Sequence, residues 1–528
     1  MKLRLAAALI LVCAFSAASA PTVAAAPLPR RHNVLIFVAD GLRYDSVTAR
    51  TAPTLWRVRH DGVDFTNSHS VYPTLTTVNA SAIATGHYPG DTGNYGNRIW
   101  SGSGIIQFED DDQLAEANAQ FGGNYLNETS LIAAAREAGF ATATMGKVGP
   151  TSIQDVTQRD GTGTIVIDDG YGITVAPDVL DAIKAAGLPA TAPKANVPNS
   201  EQQRYMAEVA TKVVLPRLAH TGKPFAMLYW SRDPDLSQHL EEDGSINGAT
   251  ARAGLKDADE TLAALLGWLN ANRLDKTTDV FVTADHGFST IDKRVNGKEL
   301  PADFLAKDLA QFPAAKVVSN GGSDLIYLSD TKSAGAVVDA LTRLDYVSGI
   351  FVDDALGAFP GALGMSAINW RGTALTPRPA IVVSFASHVV PGCRPTLLCA
   401  AEVADTTLAT GQGMHGTFSR ADTRNFMAAT GPDFKAHFAD KAPVGNADIE
   451  PTLAKVLGLT IQPRGGLTGR PITEALKGGA PVRSTHGRQA SAPAANGRTT
   501  ILDYQRVGET RYFDAAGSPG RVVGLGAR

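Results

Sequence analysis

The sequence predicts an α/β fold, a sandwich of helices around a mainly parallel sheet, with a smaller α+β segment inserted into it. Three observations carry this. Apolar runs recur at 34–39, 140–145, 225–230 and 279–284, and such runs suit strands buried on both faces, as parallel sheets require. Helical patterns separate them, at 129–138, 201–219 and 255–269, the last (LKDADETLAALLGWL) with leucines at helical spacing. Between 290 and 370 the rhythm breaks into a strand at 324–328 and a helix at 333–344, a smaller α+β insertion within a domain spanning 33–475.

The chain opens on MKLRLAAALILVCAFSAASA, which reads as a secretory signal. Lys2 and Arg4 form its charged end, 5–15 its apolar run and 16–20 its small-residue exit, with cleavage between 18 and 26. The run is too short for a membrane anchor. Val12 stands before Cys13 where a lipoprotein would need a small residue. The expected destination is therefore the periplasm or the medium. Removing the signal takes two of the 48 basic residues and leaves 46 against 52 acidic ones, a net charge near −6. That balance gives no electrostatic reason to expect nucleic acid or an anionic membrane as partner. It also leaves two cysteines, Cys393 and Cys399 in CRPTLLC, which most simply close a local disulfide in an exported chain.

Past a Pro/Ala-rich leader at 21–32, the 34–39 strand ends at Asp40-Gly41. Ligand groups gather beyond the carboxyl ends of parallel strands, so Asp40 is either a metal-binding carboxylate or a turn-forming one. Residues 53–66 form a helix and short strand leading to 72–97, YPTLTTVNASAIATGHYPGDTGNYGN. Thr76 starts a helix there and Asn97 closes the stretch 21 residues later. A helix N-terminus favours an oxygen that becomes anionic and meets a phosphate, although a threonine there is commonly only a cap. Residues 98–123 are polar and irregular and are expected as surface loop. Lys147 follows the 140–145 strand, as a solvated lysine or as a contact to an anionic substrate. A short strand at 164–167, a helix at 178–186 and a Pro/Ala-rich loop precede the 201–219 helix.

The 225–230 strand opens into SRDPDLSQH, where Asp235 and His239 have helical i, i+4 spacing and Asp233 does not. The 279–284 strand ends at Asp285-His286-Gly287. A strand resumes at 378–384, His415 sits in GMHGTFSR, and a helix spans 448–457. A Ser/Ala/Pro-rich linker at 481–497 leads to a hairpin at 499–517, together the C-terminal 481–528 segment.

Asp40, Asp235, His239, Asp285, His286 and His415, with the Thr76 hydroxyl, thus come from five segments and make two potential sets of metal ligands. Asp and His donors suit zinc and related borderline metals. Two metals about 4 Å apart form a template for in-line displacement at phosphorus. In that arrangement Thr76 is a metal-activated nucleophile and Asn97 a hydrogen-bond donor to the developing charge. Asn79, His69 and His87 are read as structural.

VADGLR, YPTLTTVN, TGHYPGDTGNYGN, DLSQH, TADHG and GMHGT, in this order, resemble the type I phosphodiesterase/nucleotide pyrophosphatase branch of the alkaline phosphatase superfamily. The resemblance covers about 33–460. It implies a three-layer, alkaline phosphatase-like sandwich and two zinc ions, one held by Asp235, His239 and His415, the other by Asp40, Asp285, His286 and Thr76. It further implies Thr76 as nucleophile, Asn97 as phosphate-binding donor, and a small phosphate-containing substrate cleaved at a diester or pyrophosphate bond. Thr77-Val78-Asn79 replaces the family's usual aromatic-Pro-Asn, and the glycine usual before His239 is absent. A phosphonoacetate hydrolase or a phosphomonoesterase of the same superfamily would use the same centre, with Lys147 as an added cation. A metal- or ligand-binding protein without turnover is the alternative from another class.

Overall fold

A computed structural model describes residues 32–158, 162–170, 176–240 and 247–526. The expected signal lies outside the described residues. Eight strands form the main sheet: β1 (Asn33–Ala39), β2 (Val63–Phe65), β3 (Ala141–Gly146), β4 (Thr164–Asp168), β5 (Phe225–Ser231), β6 (Thr278–Thr283), β7 (Met427–Thr430) and β8 (Phe438–Asp440). Their spatial order is β8-β2-β7-β6-β1-β5-β3-β4. Only β7 runs antiparallel to its neighbours; the other pairs are parallel.

Helices cover the two faces, among them α1 (Pro53–Asp61), α2 (Thr76–Thr85), α3 (Leu131–Glu137), α4 (Ser200–Val209), α5 (Ala249–Ala271) and α6 (Ile449–Leu457). Side chains alternate across a strand, and β1 shows the consequence. Val34, Ile36 and Val38 pack with α2, α3 and α6. Leu35, Phe37 and Ala39 pack with α1, α4 and α5. The central strands are apolar at every position because both faces are covered.

A second, five-stranded sheet has the order Ala315–Ser319, Ser323–Leu328, Ile381–Phe385, Val347–Val352, Leu363–Gly364, with the helix Ala334–Arg343 against it. The strand expected to resume at 378–384 pairs in this sheet and not in the main one. The span after Asn97 also departs from expectation. It forms a hairpin, Arg98–Trp100 with Ile105–Gln107, and a helix, Asp111–Gln120. Asp110 caps that helix by accepting from the N–H groups of Asp112 and Gln113, while Leu114 and Ala117 are buried; the acidic run DDD concealed a cap.

The expected linker at 481–497 contributes a strand, Thr485–Ala490, which pairs with Ile501–Val507 and so extends the hairpin to three strands. That small sheet docks on the catalytic body through Asp514 to His69 (3.0 Å) and the Tyr512 hydroxyl to Asp448 (2.8 Å). Cys393 and Cys399 are joined in a disulfide with Cα atoms 5.7 Å apart. Among the described residues, no helix is long and apolar enough to cross a membrane.

Candidate active site

Strands β1, β5 and β6 end side by side, because Val38 pairs with Trp230 on one side and Thr283 on the other. The residues just past those ends therefore converge. Asp40 follows β1, Asp285 and His286 follow β6, and β5 leads to a short helix, Asp235–His239. The Asp235 N–H donates to the Asp40 carbonyl at 3.0 Å, which fixes the two carboxylates together. Gly41 lies in the left-handed region (φ +65°), where a Cβ would be 2.9 Å from the Phe288 ring. Its N–H donates to Asp285 Oδ1 at 3.0 Å.

Two sets of donors result. In one, His239 Nε2 and His415 Nε2 lie 3.2 and 3.6 Å from Asp235 Oδ1. In the other, His286 Nε2 lies 3.2 Å from Asp285 Oδ2 and 3.5 Å from Asp40 Oδ1. His286 and His415 stack with centroids 3.5 Å apart, so His286 stands within ligand spacing of both sets. Each histidine gives its Nδ1 to a backbone carbonyl, His239 to Gly413 (2.9 Å), His286 to Gly287 (2.8 Å) and His415 to Thr74 (2.7 Å). Those bonds put the proton on Nδ1 and turn the Nε2 lone pairs inward.

The oxygens facing those nitrogens, Asp40 Oδ1, Asp235 Oδ1 and Asp285 Oδ2, are buried and receive no hydrogen bond. Buried acceptors in that state carry a desolvation cost, and a divalent cation at each set would offset it. The nitrogen and oxygen donor set fits zinc. The charges are also unbalanced. Burial, and then Asp235 and Asp285, push the Asp40 carboxyl well above the usual carboxylate range. Burial acts in the same sense on Asp235, but Lys147, His239 and His415 overcome it and hold that group well below.

Thr76 is the first residue of α2, whose ten residues are all buried. Its hydroxyl does not cap the helix. It lies 3.3 Å from His286 Nε2 and 3.4 Å from Lys147 Nζ. Asn97 sits beside it: its Oδ1 accepts from the Thr77 N–H (2.9 Å) and hydroxyl (3.0 Å), which leaves the amide Nδ2 turned the other way.

Lys147 is buried and not solvated. Its Nζ lies 2.9 Å from Asp40 Oδ2, 3.1 Å from Asp235 Oδ2 and 3.3 Å from Glu109 Oε1. Burial would lower its pKa, but those carboxylates, Asp235 foremost, raise it well above the usual lysine value. Asp40 and Asp235 are thus two-sided, with Oδ2 held by protein donors and Oδ1 left open. Glu109 and Trp230, which also donates to Asp40 Oδ2, escaped the reading of the sequence, as did Phe288, whose ring lies 4.9 Å from that of His239 and 5.3 Å from that of His415. Glu109 lay in the span expected to be loop, and Trp230 looked like one more apolar strand residue.

Asn79 bridges Val71 and Leu75, His69 joins Val444 to Asp514, and His87 contacts Asp91. A family model described as type I phosphodiesterase / nucleotide pyrophosphatase matches residues 34–353 of the 528. The match includes eight of the nine residues discussed above as ligands, nucleophile or substrate contacts (Asp40, Thr76, Asn97, Lys147, Asp235, His239, Asp285 and His286). His415 lies beyond it and joins by geometry alone. No curated protein matches the chain.

Proposed function

Because the chain belongs to the type I phosphodiesterase / nucleotide pyrophosphatase family, hydrolases acting on phosphoric ester bonds, we propose that it cleaves phosphodiester or pyrophosphate bonds through a phosphothreonine at Thr76. The observation that carries this reading is the position of Thr76 Oγ1, on the first turn of a buried helix, 3.3 Å from His286 Nε2 and between the two ligand sets. Asp235, His239 and His415 would hold one divalent cation, and Asp40, Asp285, His286 and Thr76 the other, with zinc as the metal the donors favour. Such ions lower the pKa of a hydroxyl and neutralise charge on phosphoryl oxygens.

The chain's own groups then do the following. Thr76 Oγ, its proton lost to solvent, forms the bond to phosphorus while the ester P–O bond breaks and the leaving oxygen takes a proton from water. Water then attacks the phosphothreonine, the P–Oγ bond breaks, and the threonine hydroxyl is restored. Asn97 Nδ2 donates to a non-bridging oxygen as its charge grows. Lys147 keeps Asp40 and Asp235 oriented and brings a positive charge to within 3.4 Å of the nucleophile. The substrate is a small phosphate compound, and the N-terminal segment directs export of the enzyme.

Lys147 also supports a second reading, since a phosphomonoester or a phosphonoacetate carries an additional negative charge that a lysine beside the nucleophile would meet. Bis(nitrophenyl) phosphate, nitrophenyl phosphate and phosphonoacetate separate these cases. On the leading reading the diester is the best substrate, metal chelation abolishes turnover, and Thr76→Ala loses activity while still binding metal. Full metal-dependent activity in Thr76→Ala refutes the nucleophile, and turnover of monoesters or phosphonates alone refutes the diester assignment.

A further inference from the structure

Among the described residues, four buried carboxylate oxygens receive no hydrogen bond and face a histidine ring nitrogen: Asp40 Oδ1, Asp235 Oδ1, Asp285 Oδ2 and Asp279 Oδ2. Their nearest such separations are 3.5, 3.2, 3.2 and 3.6 Å. Three belong to the centre around Thr76. The fourth does not. Asp279 is the second residue of β6, six positions before Asp285, which at ~3.3 Å per residue puts it about 20 Å away, at the opposite end of the strand.

Three adjacent strands meet at that end. His32 directly precedes β1, Asp279 lies in β6, and Asp433 follows β7. His32 Nδ1 is 2.7 Å from Asp433 Oδ2 and 3.6 Å from Asp279 Oδ2, and the three donor atoms all lie within 4.8 Å of one another. The Asp433 N–H donates to Asp279 Oδ1 at 2.9 Å, which turns Oδ2 towards His32. The turn after β7 passes this close only because residue 431 is glycine: its φ is +143° and a Cβ would stand 2.5 Å from Asp279 Oδ1. The Asp279 side chain is fully buried, while those of His32 and Asp433 are 27% and 38% exposed, which opens one side to water.

His32 Nδ1 and Asp433 Oδ2 are hydrogen-bonded, while Asp279 Oδ2 beside them receives no hydrogen bond. Two carboxylates also face a single imidazole. We propose that His32, Asp279 and Asp433 form a third divalent-cation site, with one nitrogen and two oxygen donors suited to zinc, that ties β1, β6 and β7 together at the end of these strands away from Thr76. Tetrahedral zinc with ligands at ~2.0–2.1 Å separates its donors by about 3.3 Å, and the two separations from His32 Nδ1, 2.7 and 3.6 Å, lie on either side of that value. Water fills the open position, as is compatible with a partly exposed site.

The test counts metal. Parent, His32→Gln and Asp433→Asn chains are equilibrated with buffered zinc, freed of excess by gel filtration and measured by mass spectrometry of the elements. Each variant is expected to hold one zinc fewer per chain than the parent, with diester hydrolysis unchanged and a smaller zinc-dependent rise in unfolding temperature. The difference of one equivalent does not depend on whether the centre around Thr76 fills, so failure here is separate from failure of the proposed function. Equal zinc content in the parent and both variants, or equal zinc-dependent rises in unfolding temperature, overturns the site.

Discussion

Trp230 donates its indole Nε1–H to Asp40 Oδ2 across 2.7 Å. The bond joins the ends of two neighbouring strands and leaves Asp40 Oδ1 as the oxygen free for a cation. Partners of this kind orient ligands, and their loss costs about 10–100-fold in metal affinity or activity. Trp230→Phe keeps the apolar bulk and removes the donor. Metal release to a competing chelator is expected at correspondingly lower chelator concentration, with the fold intact by circular dichroism; unchanged release would show that Asp40 needs no such anchor.

Asn97 offers a cleaner test of charge stabilisation, because Thr77 holds its carboxamide oxygen and so decides which way the amide points. Removing one preorganised donor costs about 100–1,000-fold in kcat. Asn97→Ala should fall in that range on a diester while retaining its metals. Asn97→Asp should be slower than Asn97→Ala, since a carboxylate there would repel the phosphoryl oxygens. Comparable rates for the two variants would remove Asn97 from the phosphate contact.

Lys147 is tied to Asp40 and Asp235 and also stands next to Thr76. These two duties predict different losses. Lys147→Met should lower kcat/KM for both nitrophenyl substrates through misplaced carboxylates. If the ammonium also meets phosphate, the monoester should lose about tenfold more than the diester, an additional ~1.4 kcal/mol. Equal losses would leave Lys147 as a positioning residue only.

Far from the centre, burial, and then the Glu128 carboxylate, raise the Glu450 carboxyl from 4.5 to about 8. The folded chain therefore binds this proton more tightly than the unfolded chain. Stability is lost as pH rises from the unfolded value of 4.5, and the loss is complete above about 8. Each pH unit across this window costs up to ~1.4 kcal/mol. Glu450→Gln lacks the ionisation, so its stability should decline less than that of the parent between pH 5 and pH 8.5 in urea titrations, by on the order of 1–3 kcal/mol. Parallel declines would show that Glu450 relaxes on charging.

Much of this protein was legible along the chain because its chemistry sits next to its most regular features. Buried parallel strands have to be apolar throughout, and the polar residue that ends each run marks the edge where ligands collect. Asp40 and Asp285-His286 follow β1 and β6 in just this way, Asp235 and His239 share one turn, and Thr76 opens a helix. Local spacing was enough to single them out as candidates. Where pairing was long-range, the sequence misled. The strand at Ile381–Phe385 looks like any other buried strand, and only its neighbours assign it to the second sheet. Thr485–Ala490 has the composition of a linker and becomes a strand because Ile501–Val507 offers it an edge.

The sequence by itself determined the α/β class and singled out the candidate metal ligands and the candidate nucleophile, since each depends on residues a few positions apart. Only the tertiary structure decided what surrounds them. It buried Lys147 between two carboxylates, set Trp230 behind Asp40, and brought His32 and Asp433 together across 401 positions of chain. The physical reason is the same in each case. A charge or an unpaired oxygen acquires its meaning from what replaces water around it, and which groups those are is settled when distant strands pair.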